Sequence, residues 1–208
     1  RCEPDGPDVM LYDGETASRW RLVRHRVRIN DKAAIANAEA IRDATGLHAR
    51  DDVELAWAIP LDSKHEEAGR FWAFFPTDTL TRLPGILNAP WKLNSDRKAL
   101  ITGDWNTALM QEAAKLVARH LPNLSTELDP GRPLDAFPRQ LERTDEPAAP
   151  LVNAIWNQIK EASIIPDALR KLRPGAVLRI PPLNDQAIHS QWTDLANDEA
   201  RSRWVHLS

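Results

Sequence analysis

The order of hydrophobic patterns along this chain predicts an α+β or α/β fold in which a helix crosses a sheet. Three observations carry the prediction. Residues 19–29 read RWRLVRHRVRI, alternating with the period of two of a strand that keeps one face in solvent. Residues 52–61 (DVELAWAIPL) and 69–76 (GRFWAFFP) are apolar runs of strand length. Helical patterns over 30–45 and 104–121 complete the set, so the first hundred residues read strand, strand, helix, strand, strand.

Taken in order, residues 1–8 are polar and turn-rich, and Val9 to Tyr12 is a short strand closed by Asp13-Gly14. In the arginine-rich strand the phase slips once. Trp20 and Leu22 fall on even positions, Val23, Val27 and Ile29 on odd ones. A bulge near Val23-Arg24, or a break into two strands, brings all five to one face. Asn30 or Asp31 caps the first helix, with Ala34, Ile35, Ala38 and Ile41 at helical spacing and Gly46 as its stop. The polar connection Asp62 to Ala68 then suits a hairpin between the next two strands.

Asp104 caps the second helix, whose stripe is Trp105, Leu109, Ala113, Leu116 and Val117, and Pro122 ends it. His120 lies in its last turn, where a cation suits the helix dipole. A proline-rich, charged connector follows, with one apolar cluster, Leu134 to Phe137, that reads as a short helix. Pro147 opens a helix to about Ala162, burying Leu151, Val152, Ile155, Trp156 and Ile159. Val177 to Ile180 reads as a last short strand. The tail from Asn184 to Trp204 has helical spacing at Ile188, Trp192 and Leu195. The expected division is a sheet domain over 1–125 and a connector with a helical C-terminal extension over 126–208.

Composition bounds the function. With 208 residues, 42% of them hydrophobic, and eight tryptophans, the chain can bury a sizeable core. A net charge of −3 argues against a general nucleic-acid binder, and the five arginines of residues 19–28 read as a solvated sheet face. Cys2 is the only cysteine, which excludes a disulfide framework and suits a reducing, cytoplasmic setting. No apolar run approaches the roughly 18 residues of a membrane span, and no signal-peptide pattern opens the chain. It starts at Arg1 and is read as a segment of a longer protein.

Most enzyme constellations are missing. The eight glycines are scattered rather than gathered into a phosphate cradle, and no histidine stands at metal-ligand spacing from another ligand type. No Gly-x-Ser-x-Gly elbow occurs. The stretch 71–101, FWAFFPTDTLTRLPGILNAPWKLNSDRKALI, differs in kind. An apolar strand, a turn-rich loop carrying Arg97 and a helix just behind can hold a cation at a defined position for an anionic ligand. On spacing alone, Asp96 caps the following turn and Arg97 pairs with it or with Asp104. Arg82, Lys92 and Lys98 read as solvated loop charges, and Trp91 with Phe71 to Phe75 as core or interface aromatics.

In Phe74-Phe75-Pro76-Thr77, Leu83-Pro84, Asn88-Ala89-Pro90-Trp91 and Asn94-Ser95-Asp96-Arg97 the chain resembles the GHKL ATPases, and among them the sacsin-like proteins. These have a nucleotide-binding region similar to that of the ninety-kilodalton heat-shock chaperone. Leu134 to Arg139 and Ile165-Pro166-Asp167 extend the resemblance, which covers roughly 57–167. It implies a transducer (middle) domain with a ribosomal protein S5 domain 2-like sheet. A loop of such a domain offers a basic residue to the γ-phosphate of ATP held by a preceding nucleotide-binding domain. In the chaperone that loop is of a Leu-Asn-x-Ser-Arg type, which Leu93 to Arg97 matches at Asn94 and Arg97. By that match Arg97 is the catalytic contact, with Asn94 and Ser95 beside it at the nucleotide.

Two departures stand out. The serine comes one place early, with Asp96 in its slot, and the glutamine four residues after the arginine is Ile101 here. Neither a Glu-x-x-x-Asn box nor an Asp-x-Gly-x-Gly turn is present. ATP and Mg²⁺ are therefore expected to be bound mainly by the preceding domain of the parent, and the chain alone to be inactive. The resemblance also allows a homodimer. The alternative is a protein-protein interaction module that docks a partner through Leu83 to Trp91 and never meets nucleotide.

Overall fold

The arginine-rich stretch forms a single 13-residue strand, β3 (Thr16–Arg28), and the sheet is built outward from it. The computed structural model describes residues 2–5, 8–40, 52–62, 69–138, 146–160, 162–179 and 186–206. Predictions that fall on 41–51, 63–68, 139 and 180–185 lie outside these. The chain divides into two compact units, Arg1–Val117 with Pro138–Ile155, and Ala118–Phe137 with Trp156–Ser208. This partition differs from a boundary at 125–126, because 138–155 returns to the sheet-bearing unit. The fold is mixed α and β, as the pattern predicted.

In the first unit, β3 pairs antiparallel with β2 (Asp8–Asp13) and β4 (Asp52–Pro60). β1 (Cys2–Asp5) adds to the outside of β2, so the stretch expected to be polar and turn-rich contains an edge strand. Helix α1 (Lys32–Ala40) follows β3, and the Asp31 carboxylate caps it, accepting from the Ala33 and Ala34 amides at 2.9 and 3.2 Å.

The expected bulge in β3 is not formed. Its register with β4 runs unbroken from Trp20 opposite Pro60 to Arg28 opposite Asp52. Trp20 and Leu22 therefore stay on the face opposite Val23 and Val27. An intact ladder of hydrogen bonds outweighs moving two side chains that already find half-buried positions.

A larger difference concerns the next strands. β5 (Arg70–Ala73) does not pair with β4 as a hairpin. The short strand β7 (Ile86–Asn88) lies between them, antiparallel to β4 and parallel to β5. Glycine makes the insertion possible. A Cβ on Gly85 (φ +78°) would lie 2.0 Å from the Ala58 carbonyl oxygen, and one on Gly69 would lie 1.9 Å from that of Gly85. The Trp57 indole, buried in the sheet, donates to the Pro84 carbonyl at 3.0 Å and fixes the returning chain.

A further strand, β6 (Phe75–Leu80), runs through Pro76 into the stretch expected to be turn-rich loop. Proline is tolerated there because β6 is the other edge of the sheet, whose order is β1-β2-β3-β4-β7-β5-β6. The β-prone threonines Thr77 and Thr79 turn inward, and Thr77 Oγ1 donates to the Phe71 carbonyl at 2.8 Å.

One face of this sheet is closed. Val23, Val27, Val53, Leu55, Trp57, Ile59, Phe71 and Leu87 are all buried on it. Trp91 packs edge-on against Phe71 at 4.9 Å, which ties the segment after β7 to the same core. α2 (Asp104–His120) buries the predicted stripe Trp105, Leu109, Ala113, Leu116 and Val117. Its Trp105 indole donates to the Pro90 carbonyl at 3.0 Å. Leu151, Val152 and Ile155 of α4 (Ala149–Ile159) are buried as well.

The second unit holds more strand than the connector and helical extension expected over 126–208. It holds α3 (Arg132–Asp135) and a two-stranded antiparallel sheet of β8 (Ser163–Pro166) and β9 (Leu172–Pro174). The fully buried Asp167 organises that hairpin, accepting from the Leu169 and Lys171 amides and from Arg173 Nε, each at 2.9 Å. The strand predicted from Val177 begins instead as a 3-10 turn, Gly175–Val177, and Arg179 makes only a bridge to Trp204. α5 (Gln186–Leu195) and α6 (Asp198–Arg201) follow, with Trp192 stacked on Trp204 at 5.3 Å.

Candidate functional site: a turn that presents Arg97

Between β7 and α2 the chain doubles back on itself. Leu93 and Leu100 form an antiparallel bridge, and Asn94 to Arg97 make the turn between them. Asn94 is its hub. Its amide donates to the Ala99 carbonyl at 3.0 Å, and its carbonyl accepts from the Arg97 amide at 3.0 Å. Its side-chain Oδ1 accepts from the Lys98 and Ala99 amides, both at 3.1 Å. Such closure by an asparagine side chain is a local property of the sequence. Asp96 Oδ1 accepts from the Lys98 amide at 3.0 Å, so the expected capping role is present.

The turn is fastened on two sides. Along the β6 edge, the Asp78 amide donates to the Lys98 carbonyl at 2.7 Å and Thr79 Oγ1 accepts from the Leu100 amide at 3.2 Å. At its base stands Asn106, a buried polar residue in the first turn of α2. Asn106 Oδ1 accepts from the Lys92 amide, and its Nδ2 donates to the carbonyls of Lys92 and Ile101, all at 2.8 Å. The sequence reading missed both anchors. The signal for Asn106 was an asparagine directly after Trp105 on an otherwise apolar stripe.

Arg97 emerges at the tip. It is exposed, its φ is +60°, and its guanidinium has no ion-pair partner among the described residues. Neither Asp96 nor Asp104 holds it, contrary to the pairing allowed by spacing. A left-handed arginine costs on the order of 1 kcal/mol relative to glycine. The turn accepts that cost because Asn94 and the two anchors dictate its path. Ser95 is exposed beside Arg97, and Asn94 Nδ2 has no partner among the described residues. Arg97 and Ser95 are thus exposed on one turn, with Asn94 half-buried beside them, and a guanidinium so placed suits an oxyanion. Asp96 is the one acid at the tip.

Other expectations change. Lys92 is buried, with 6% of its surface exposed, rather than a solvated loop charge. Arg82, also at positive φ (+63°), donates to Glu146 Oε2 from Nε and Nη2 at 3.0 and 2.8 Å. Lys98 is exposed as expected. The segment Leu83 to Trp91, put forward as a docking loop, is used internally: Leu83, Leu87, Ala89 and Trp91 are all buried. Within residues 71–101 the exposed aromatics are Phe74 and Phe75, at 74% and 71%, on the β5–β6 turn, where Phe74 has φ +65° and its amide donates to Asn88 Oδ1 at 3.0 Å.

Among the described residues, no group of three or more His, Cys, Asp or Glu is placed to hold a metal ion, and no helix is long and apolar enough to cross a membrane. Comparison with protein-family models, curated proteins and solved structures gives no match to this chain.

Proposed function

We propose that this chain is the transducer (middle) segment of a sacsin-like GHKL-type ATPase, and that Arg97 is the basic group it offers to the γ-phosphate of ATP. The observation that supports this reading is an exposed guanidinium, without an ion-pair partner among the described residues, on a turn braced by Asn94, β6 and Asn106. A cation held without a carboxylate partner keeps its full charge for an incoming anion, and a braced turn limits reorganisation on contact. Asn94 Nδ2 and Ser95 Oγ are the neighbouring donors of the same site.

In this reading ATP and Mg²⁺ are held by a preceding nucleotide-binding domain of the same cytoplasmic polypeptide, and hydrolysis follows when Arg97 reaches the nucleotide. An arginine supplied from a second domain makes turnover conditional on domain closure. The S5 domain 2-like topology and a homodimeric parent belong to the same proposal.

The test is ATP turnover by the full polypeptide, wild type beside Arg97→Ala, with nucleotide affinity measured on both. Loss of such a cation costs on the order of a thousandfold in turnover when the contact is fully engaged. The expected result is a large fall in turnover with affinity little changed. Equal turnover in the two proteins would remove Arg97 from catalysis.

A further inference from the structure

The sheet face opposite the buried one carries more than a solvated face requires. Across the hydrogen-bonded register, one row holds Trp72, Asn88, Ala56 and Arg24. The next holds Arg70, Ile86, Ala58 and Leu22, and a third holds Pro60, Trp20 and Val9. Every one of these residues is half-buried or exposed. Rows of this kind stand about 6.7 Å apart and strands about 4.8 Å apart. Ala56 and Ala58 thus give a low floor, about 15 Å wide, between Trp72 on one side and Leu22 with Trp20 on the other.

The arginines of β3 are sorted by the fold. Arg21 lies on the closed side and its Nε donates to the buried Asp8 at 2.8 Å. Arg26 and Arg28 stand opposite Glu54 and Asp52, beyond the end of the three rows. Arg24 and Arg70 remain within the rows, exposed and with no ion-pair partner among the described residues. Arg70 Nη1 makes only a 3.4 Å contact to the Thr77 carbonyl. The three rows contain no carboxylate, and Asp78, on the edge strand β6, borders them.

We propose that this face binds single-stranded nucleic acid, with Arg24 and Arg70 on phosphates and the indoles of Trp72 and Trp20 as surfaces for bases. Flat aromatic groups interleaved with separate cations on an open sheet are what a stacked, charged strand requires. An anionic membrane is recognised by a cluster of four or more basic residues, and here two cations stand apart.

The test titrates the 208-residue chain with fluorescently labelled oligo(U) and oligo(dT), read by anisotropy and tryptophan quenching between about 50 and 200 mM salt. Two phosphate contacts predict a log-log salt slope of about −1.4, falling by about 0.7 in Arg24→Ala and again in Arg70→Ala. Trp72→Ala is expected to weaken binding by about five- to a hundredfold, one stacked base being worth that much, and Trp72→Leu to weaken it while keeping the fold. Lys115→Ala, which removes an exposed cation on α2, leaves affinity unchanged. Absence of binding at about 50 mM salt overturns the proposal. So does an equal loss in Lys115→Ala and Arg24→Ala, or tighter binding to phosphatidylserine vesicles than to either oligonucleotide.

Discussion

Replacing Asn106 by alanine is the sharpest probe of how the Arg97 turn is held. The substitution deletes three hydrogen bonds of 2.8 Å, the two to Lys92 buried and the one to the Ile101 carbonyl part-buried. The Lys92 carbonyl keeps a partner, since it also accepts from the Ile101 amide at 3.2 Å. The Lys92 amide and the Ile101 carbonyl lose theirs. Each buried group left without a partner costs about 1–3 kcal/mol, so the expected destabilisation is about 3 kcal/mol. For a chain of this size that corresponds to a fall in Tm of roughly 6–12 °C, measurable by circular dichroism in the transition of the sheet-bearing unit. Hydrogen exchange is expected to quicken first at the amides of 92–101, because the loss is local. Asn106→Asp should do no better near neutral pH, since a carboxylate set against two carbonyl oxygens has no proton to donate. A fall of less than about 2 °C in Asn106→Ala would refute the view that α2 fastens the turn.

Two pairs of substitutions separate causes that the wild-type chain combines. Arg97→Gly and Arg97→Ala both remove the cation, but only glycine is at ease at φ +60°. The glycine variant should be the more stable by about 1 kcal/mol in urea unfolding, while both lose ATP turnover alike in the full polypeptide. If both variants unfold at the same urea concentration, backbone strain at the tip is not what distinguishes this position. Arg21→Ala strips the buried Asp8 of its guanidinium and should cost about 2 kcal/mol. Arg26→Ala, whose exposed guanidinium is 3.9 Å from Glu54, should cost less than about 0.5 kcal/mol. Similar values for the two would mean that the fold does not sort the β3 arginines as their partners indicate.

What the sequence determined by itself is the set of elements whose signals are local. Period-two alternation marked β3, an apolar run of strand length marked β4, period 3.6 marked α2 and α4, and Asp31 and Pro122 marked helix ends. The turn at Asn94 to Arg97 was also legible, because an asparagine closing a turn on its own backbone needs nothing beyond its neighbours.

Only the tertiary structure decided which strands are neighbours. β7 is three residues long, too short to declare itself, and it separates β4 from β5 through two glycines whose tolerance of close backbone approach is a property of the packed sheet. The same holds for side chains. Nothing in RWRLVRHRVRI says that Arg21 meets Asp8 while Arg24 shares a row with Trp72, because register is set by pairing across the whole sheet. Nor does spacing say that Arg97 has no ion-pair partner among the described residues or that Asn106 reaches back to Lys92. An exposed cation and a buried clamp are relations between distant parts of the chain, and they exist only once the strands and α2 have come together.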